Sequence, residues 1–405
     1  MRPSFATWLP LLLPLALHAC ADARPEPAPP VDDVLEIPPL LATEAVRIGR
    51  IDPQTDSAAL VDVGVVRIGP DGGIWVLDRG RTEVLVFEPD GRARRIVGRR
   101  GAGPGEFSGL FSMGFVGDTV WVEDWMKRNV SLFALDGTFL RSFQPELVID
   151  AERFRGPDLP LALLEGGHAV YEGRSPHTTL AADAAGPVLV VQLGRERRDT
   201  IATRQLWRHR LPVPGLGTLS ARTMRDDPLL AIDGAGRTVA VIERAPAEPP
   251  SGRTTIRITI RNARGAVLST EQIGPLAVQP VAAQDRAVLI DSAVAALERT
   301  MSQIAEVRER VSDARAVITR VLTFPAALPP VDEAIAARDG RIWLRVRNGH
   351  GIQHWIVLDP ATDTRTIIAL PADFRLHDAD ARHAWGVVRD SLDVHYVVGM
   401  DIDPS

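Results

Sequence analysis

Three observations predict an all-β fold, a six-bladed β-propeller with four-stranded antiparallel blades, closed by an N-terminal strand and carrying a helical insertion between blades 4 and 5. A turn-then-strand unit recurs six times, four short strands surround its clearest copies, and an amphipathic helical run falls where the repeat is interrupted. The unit reads Asp71-Gly72-Gly73-Ile74-Trp75-Val76, then Gly117-Asp118-Thr119-Val120-Trp121-Val122, then Asp339-Gly340-Arg341-Ile342-Trp343-Leu344, with weaker copies at 166–170, 236–241 and 380–385. Trp75, Trp121, Trp343 and Trp385, four of the eight tryptophans, occupy one equivalent position. A large aromatic there on a strand face is expected to fill the core between blades.

The amino terminus has Arg2 followed by an apolar stretch over 8–17 that contains two prolines. It is too short to span a bilayer and reads as a signal peptide over 1–19. Leu17-His18-Ala19-Cys20 resembles the bacterial lipobox, in which the Cys thiol is acylated and becomes the new amino terminus. Cys20 is the only cysteine among 405 residues, so it points to a lipid anchor and not to a disulfide framework or redox chemistry. Residues 20–43 then form a Pro-rich tether with little that can pack. Ala21 in place of Asp after the Cys resembles the outer-membrane sorting pattern of Gram-negative cells. The expected location is therefore the cell envelope, lipid-anchored to the bilayer through Cys20, at the outer membrane facing periplasm or exterior if the cell is Gram-negative.

The propeller is expected over 44–405. Strand-like runs at 63–68, 73–78, 83–88 and 93–97 make the first blade, and 111–116, 119–124, 130–135 and 139–143 the second, separated by Gly, Asp or Pro turns. After Trp385 one strand, 394–400, remains, so the sixth blade needs a fourth strand, and 44–50 can supply it and close the ring. Between the fourth and fifth blades, 285–321 reads as helix. Ile290, Val294, Leu297, Met301, Ile304 and Val311 recur at helical steps opposite Glu298, Arg299, Glu306 and Arg308. Such a helix can be a lid, a partner-binding arm or, more commonly, a stripe packed on the rim; its charges exclude a membrane span.

Between the first two blades, Arg100-Gly101-Ala102-Gly103-Pro104-Gly105-Glu106-Phe107 looks like the junction of NHL repeats. With the lipobox and the six units, the chain resembles the NHL-like six-bladed β-propeller lipoproteins of bacteria, over about 44–143 and again over 324–400. In this junction Gly103 and Gly105 are expected to permit positive φ in a tight link, and Phe107 to plug the gap between blades. The resemblance implies a membrane-anchored module of the cell envelope.

The formal net charge of −6 and a pI near 5.9 argue against a nucleic-acid partner. The cations gather instead by topology. The turns from second to third strand carry Arg79 and Arg81, Lys127 and Arg128, Arg174, Arg244, Arg347, and Arg389, at least one per blade and all on one face. A ring of cations at a channel mouth can focus an anionic ligand. Five of the six sets also carry an acid, so pairing within each turn is the preferred reading. The loop over 207–228, with Arg208, His209, Arg210, Arg222 and Arg225, falls on the same face. Arg92, Arg94, Arg95, Arg99 and Arg100 belong to an outer strand and its exit, where they guard an edge.

Catalytic motifs are poor: there is no P-loop, HExxH or GxSxG. His350 and His354 flank a turn and share no helical face. Asp62, Glu333, His377 and Asp378 lie on or beside inner strands and are weak candidates for a channel Ca²⁺ or Zn²⁺, but the inner strands of blades two to four are nearly free of ligating residues. The expected function is thus a tethered binding module, with no cofactor, for an envelope protein or a small anionic ligand; the alternative is a channel-metal hydrolase or lyase.

Overall fold

The computed structural model describes residues 37–49, 59–145, 160–172, 185–194, 198–205, 210–213, 217–220, 227–244, 252–303, 309, 311–322, 324–325, 327–347 and 351–402. Cys20, the signal peptide and most of the tether lie outside them, as do Arg174, His350 and most of the 207–228 loop. Among the described residues no helix is long and apolar enough to cross a membrane.

Strand β1 (Leu40–Ile48) is followed by a four-stranded meander, β2 (Val63–Ile68), β3 (Ile74–Asp78), β4 (Glu83–Phe87) and β5 (Ala93–Val97). A second meander runs β6 (Leu110–Val116), β7 (Thr119–Asp124), β8 (Asn129–Ala134) and β9 (Phe139–Phe143), and a third β10 (Ala162–Leu164), β11 (His168–Glu172), β12 (Ala185–Gln192) and β13 (Arg198–Gln205). A hairpin, β14 (Arg210–Val213) and β15 (Gly217–Ser220), leads to the fourth, β16 (Leu229–Ile232), β17 (Thr238–Glu243), β18 (Arg253–Asn262) and β19 (Val267–Ala277). These are four blades of an all-β propeller.

The short pair β20 (Gln279–Pro280) and β21 (Ala327–Leu328) brackets two helices, α1 (Ala283–Gln303) and α2 (Ala314–Val321). The rest is one eight-stranded sheet made of β22 (Val331–Ala336), β23 (Ile342–Val346), β24 (Gln353–Asp359), β25 (Thr364–Leu370), β26 (Arg375–Ala379), β27 (His383–Arg389) and β28 (His395–Ile402), together with β1. Sequence reasoning expects two separate blades here. They merge because β1 pairs antiparallel with β28 from Ala42 to Ile48 and, at Leu40 and Leu41, reaches past it to pair in parallel with β25.

Apolar clusters lie between successive sheets. One joins Trp75, Leu77 and Val97 to Phe107, Met113 and Phe115, with Trp75 and Phe115 meeting edge to face at 5.6 Å between ring centres. Another joins Val66, Ile74 and Phe87 to Trp385, Val387 and Val397, so the first meander packs on the last strands. All four repeat tryptophans are buried, as expected; complete burial of such a side chain contributes roughly 3 kcal/mol. Glycine opposite the ring makes room in two copies, where Gly114 pairs with Trp121 and Gly399 with Trp385.

The junction before the second meander is held by Gly101 N–H donating to Phe107 O and Phe107 N–H to Arg99 O, with Phe107 fully buried. Gly105 takes φ 72°, whereas Gly103 is outside the left-handed region, and a Cβ there would come within 3.1 Å of Glu106 Oε2. The expected helix is in fact two. Asp313 caps α2 by accepting from Ala316 N–H, and Val294, Leu297, Val311 and Ile318 spend the apolar stripe on a small core of their own. Both helices pack on the β14–β15 hairpin.

Candidate functional site

Inner strands β2, β6, β10, β16, β22 and β26 surround a central channel. All six contribute to the lining of a cavity of about 290 Å³. Among the described residues the helical insertion contributes nothing to this lining. Each inner strand starts at the face that carries the second-to-third-strand turns, here the first face, and runs to the opposite, second face.

The second-face end is closed. The turn after β16 crosses the channel, and Gly234 O accepts from Phe115 N–H of β6 at 2.9 Å. A Cβ at Gly234 would come within 3.3 Å of Asp378 Oδ2 and 3.4 Å of Arg67 Cδ, so only glycine fits this crossing without a shift. Arg338 adds a second bar, donating to Ile68 O and lying over the Phe115 ring. The cavity is therefore bridged at its second-face end.

One wall is built from β2 and β26. Val66 N–H donates to His377 Nδ1 at 3.3 Å and Ile68 N–H to Asp378 Oδ2 at 2.9 Å, which satisfies the inner edge of β2 with side chains of its neighbour. Because Nδ1 accepts, the neutral ring carries its proton on Nε2. That Nε2 is buried and has no hydrogen-bond partner, and the same is true of Arg67 Nε, although Arg67 Nη1 donates to His377 O at 2.6 Å. Burial first, then the charges of Arg375, Arg67 and Arg79, push His377 down to about 3, so it stays neutral at ordinary pH. Burial likewise pushes the Asp378 carboxyl up to about 6 against the pull of Arg67 and of the Ile68 and Ala379 amides.

Arg79 lies across Gly64 at the mouth, since a Cβ on Gly64 would come within 2.6 Å of its Nε. It donates to Phe111 O and stacks on the Phe111 ring at 5.7 Å. Its turn neighbour Asp78 is buried and already accepts from the Val61, Asp62 and Arg81 amides. Asp124 does the same for the Ser108, Gly109, Met126 and Lys127 amides in the next blade. Pairing within each turn thus fails for Arg79, because the acid beside it serves the backbone. The opposite wall, on β10 and β16, is apolar: Leu161, Leu163, Leu230 and Ile232 line it.

The other turn cations have local duties. Arg81 donates to Glu83 at 2.9 Å and Arg389 to Asp393 at 3.0 Å, acids nearby but not the neighbouring Asp78 and Asp390 that pairing within each turn expects. Arg347 pairs with Asp332 and donates to Pro329 O. Arg244 is buried, a strap from β17 to Asp227 O and Val331 O, and not a ring cation. Arg128 sits in its turn at φ 54°. Of the metal candidates, Asp62 gives its amide to Asp78, Glu333 pairs with Arg345, and His377 and Asp378 both face β2 as acceptors. Among the described residues no three ligating side chains gather.

Sequence reasoning missed Arg67 and Arg375. The signal was an Arg inside the apolar run Val63-Gly64-Val65-Val66-Arg67-Ile68. A register shift between Val63 and Val65 hides which face it takes.

Residues 51–148 match the model of the DUF5128 family, described as a 6-bladed β-propeller, a stretch short of half the chain. No curated protein matches. Among solved structures the chain is similar to a protein of Bacteroides fragilis described as exported, at 11% identity, TM-score 0.43, covering 89% of this chain and 95% of that one. It is also similar to a DUF4221 family member of Bacteroides vulgatus, at 8% identity, TM-score 0.43, with 90% and 98% covered. The calcium-binding protein regucalcin of Agrobacterium tumefaciens follows at 12% identity, TM-score 0.38, with 90% and 96% covered.

Proposed function

We propose that the protein is an envelope-tethered binding module that takes a small anion into the channel from the first face. The observation that carries the reading is that Arg67 and His377, each with a buried donor lacking an acceptor, line one cavity together with Arg375, while Trp121 Nε1 is a third such donor in the lining. A buried donor left unmade costs about 1–3 kcal/mol, and an anion held by the guanidinium groups of Arg67 and Arg375 would offset the charge on this wall. In this reading the eight-stranded sheet is two blades, β22–β25 and β26–β28 with β1. The ring then has six blades closed by the N-terminal strand. Cys20 holds it to the membrane by lipidation, after signal-peptide removal, and the residues between Cys20 and β1 set the reach; the expected tether is shorter than 20–43, because Leu40 to Thr43 are paired in β1. The partner is thus a small anionic ligand and not an envelope protein. The hydrolase or lyase reading is not taken up, since among the described residues no three ligating side chains gather.

The test is acetate binding by calorimetry at low ionic strength to the full-length protein and two variants. Arg67→Gln is expected to weaken binding tens-fold, from roughly 1.5–3 kcal/mol for a charged hydrogen bond, and Arg389→Gln to leave it unchanged. Equal affinities in all three proteins contradict the reading.

A further inference from the structure

The channel has two chemically different walls facing each other, and this says more about the ligand than its charge. Donors sit on β2 and β26. Across the cavity, Leu161, Leu230 and Ile232 are only partly buried, and Leu163 completes the surface. Leu161, Leu230 and Ile232 pack on the apolar clusters between blades and leave part of their surface toward the cavity. A purely inorganic anion would satisfy the first wall and leave the second wet. Glu333 and Asp233 also line the cavity; Glu333 is paired with Arg345, and Asp233 accepts from the Arg237 and Thr238 amides and from Thr238 Oγ1. Neither carboxylate is left to hold a cationic group.

We infer that the ligand is an amphipathic monocarboxylate, its carboxylate on Arg67, Arg375 and His377 Nε2–H and its hydrocarbon part against Leu161, Leu163, Leu230 and Ile232. The inference rests on the anion reading above. A cavity of about 290 Å³ holds on the order of ten non-hydrogen atoms at ~30 Å³ each, which suits a carboxylate with a short alkyl or aryl tail. Because the second-face end is blocked by Gly234 and Arg338, the tail cannot thread through. Affinity should therefore rise with chain length and then stop.

The test is a calorimetric series of acetate, butyrate, hexanoate and decanoate on the full-length protein, with hexanol as a tail lacking the charge. Each added methylene is expected to tighten binding about fourfold, the equivalent of ~0.8 kcal/mol, up to roughly hexanoate, with decanoate no tighter and hexanol far weaker. Leu230→Thr and Ile232→Thr should flatten the series. If acetate binds and loses affinity in Arg67→Gln but the series is flat, the amphipathic ligand is overturned and the anion site stands. If no carboxylate binds, both fall. If hexanol binds as tightly as hexanoate, the donor wall has no part in binding and both fall.

Discussion

The two walls of the channel are built from strands of the same rank in the repeat, yet they have been put to opposite uses. On β2 and β26 the inner strands bring Arg67, Arg375, His377 and Asp378 together and brace one another through side chain to backbone hydrogen bonds. On β10 and β16 the lining side chains are leucine, isoleucine and alanine. The repeat sets where the inner strands lie and leaves the chemistry of their side chains free. The difference between walls is therefore a property of this chain, added to a generic frame.

The largest effect that breaks the comparison is expected from Asp378→Ala. It strips the acceptor from Ile68 N–H and a buried carboxylate that interacts with the Arg67 charge, at the seam where the first meander meets the last strands. Urea unfolding should show a loss of about 3–5 kcal/mol, as for a buried charge left without its partner.

Next comes Glu123, buried beside Tyr171 where the second and third blades meet. Burial pushes its carboxyl from 4.5 up to about 7. Between those values the folded chain keeps the proton and the unfolded chain has lost it. The stability it contributes is thus present below pH 4.5 and lost as pH rises through 7. Glu123→Gln should remove that dependence, with the difference between variant and parent changing by about 3 kcal/mol across the window in unfolding at stepped pH. A pH-independent difference would place the carboxyl in water.

A smaller change is expected on the apolar wall. Leu163→Ala should destabilise by about 2 kcal/mol, the low end for a buried leucine, because the cavity already borders the side chain. Acetate binding should survive. The smallest effect belongs to Arg389→Ala: its pair with Asp393 is exposed, so thermal unfolding should move by less than ~0.5 kcal/mol equivalent.

The frame was legible because its signals are local. The Trp positions, the two-residue alternation and the Gly and Asp turns each lie within a few residues, and β2 to β9 fall within a residue or so of the predicted strands. The site was not legible, for a specific physical reason. Inner strands β2, β6, β22 and β26 each carry a register shift, and a one-residue slip sends every later side chain to the other face. Alternation counted along 63–68 therefore does not say that Arg67 faces the channel. The turn acids misled in a second way. Asp78 and Asp124 look like partners for Arg79 and Lys127, but both are buried as acceptors for backbone amides, a role set by the link arriving from about sixteen residues upstream. The merged eight-stranded sheet depended on how far β1 extends, which no local pattern records.

The most direct test of the channel site is nitrogen-15 NMR of the His377 ring in the full-length protein, with and without acetate at pH 7. The account predicts a neutral ring with its proton on Nε2, and an Nε2–H resonance that shifts when acetate is added and not when Arg67→Gln is substituted. A ring protonated on Nδ1, or an Nε2–H that acetate leaves unmoved, would contradict it.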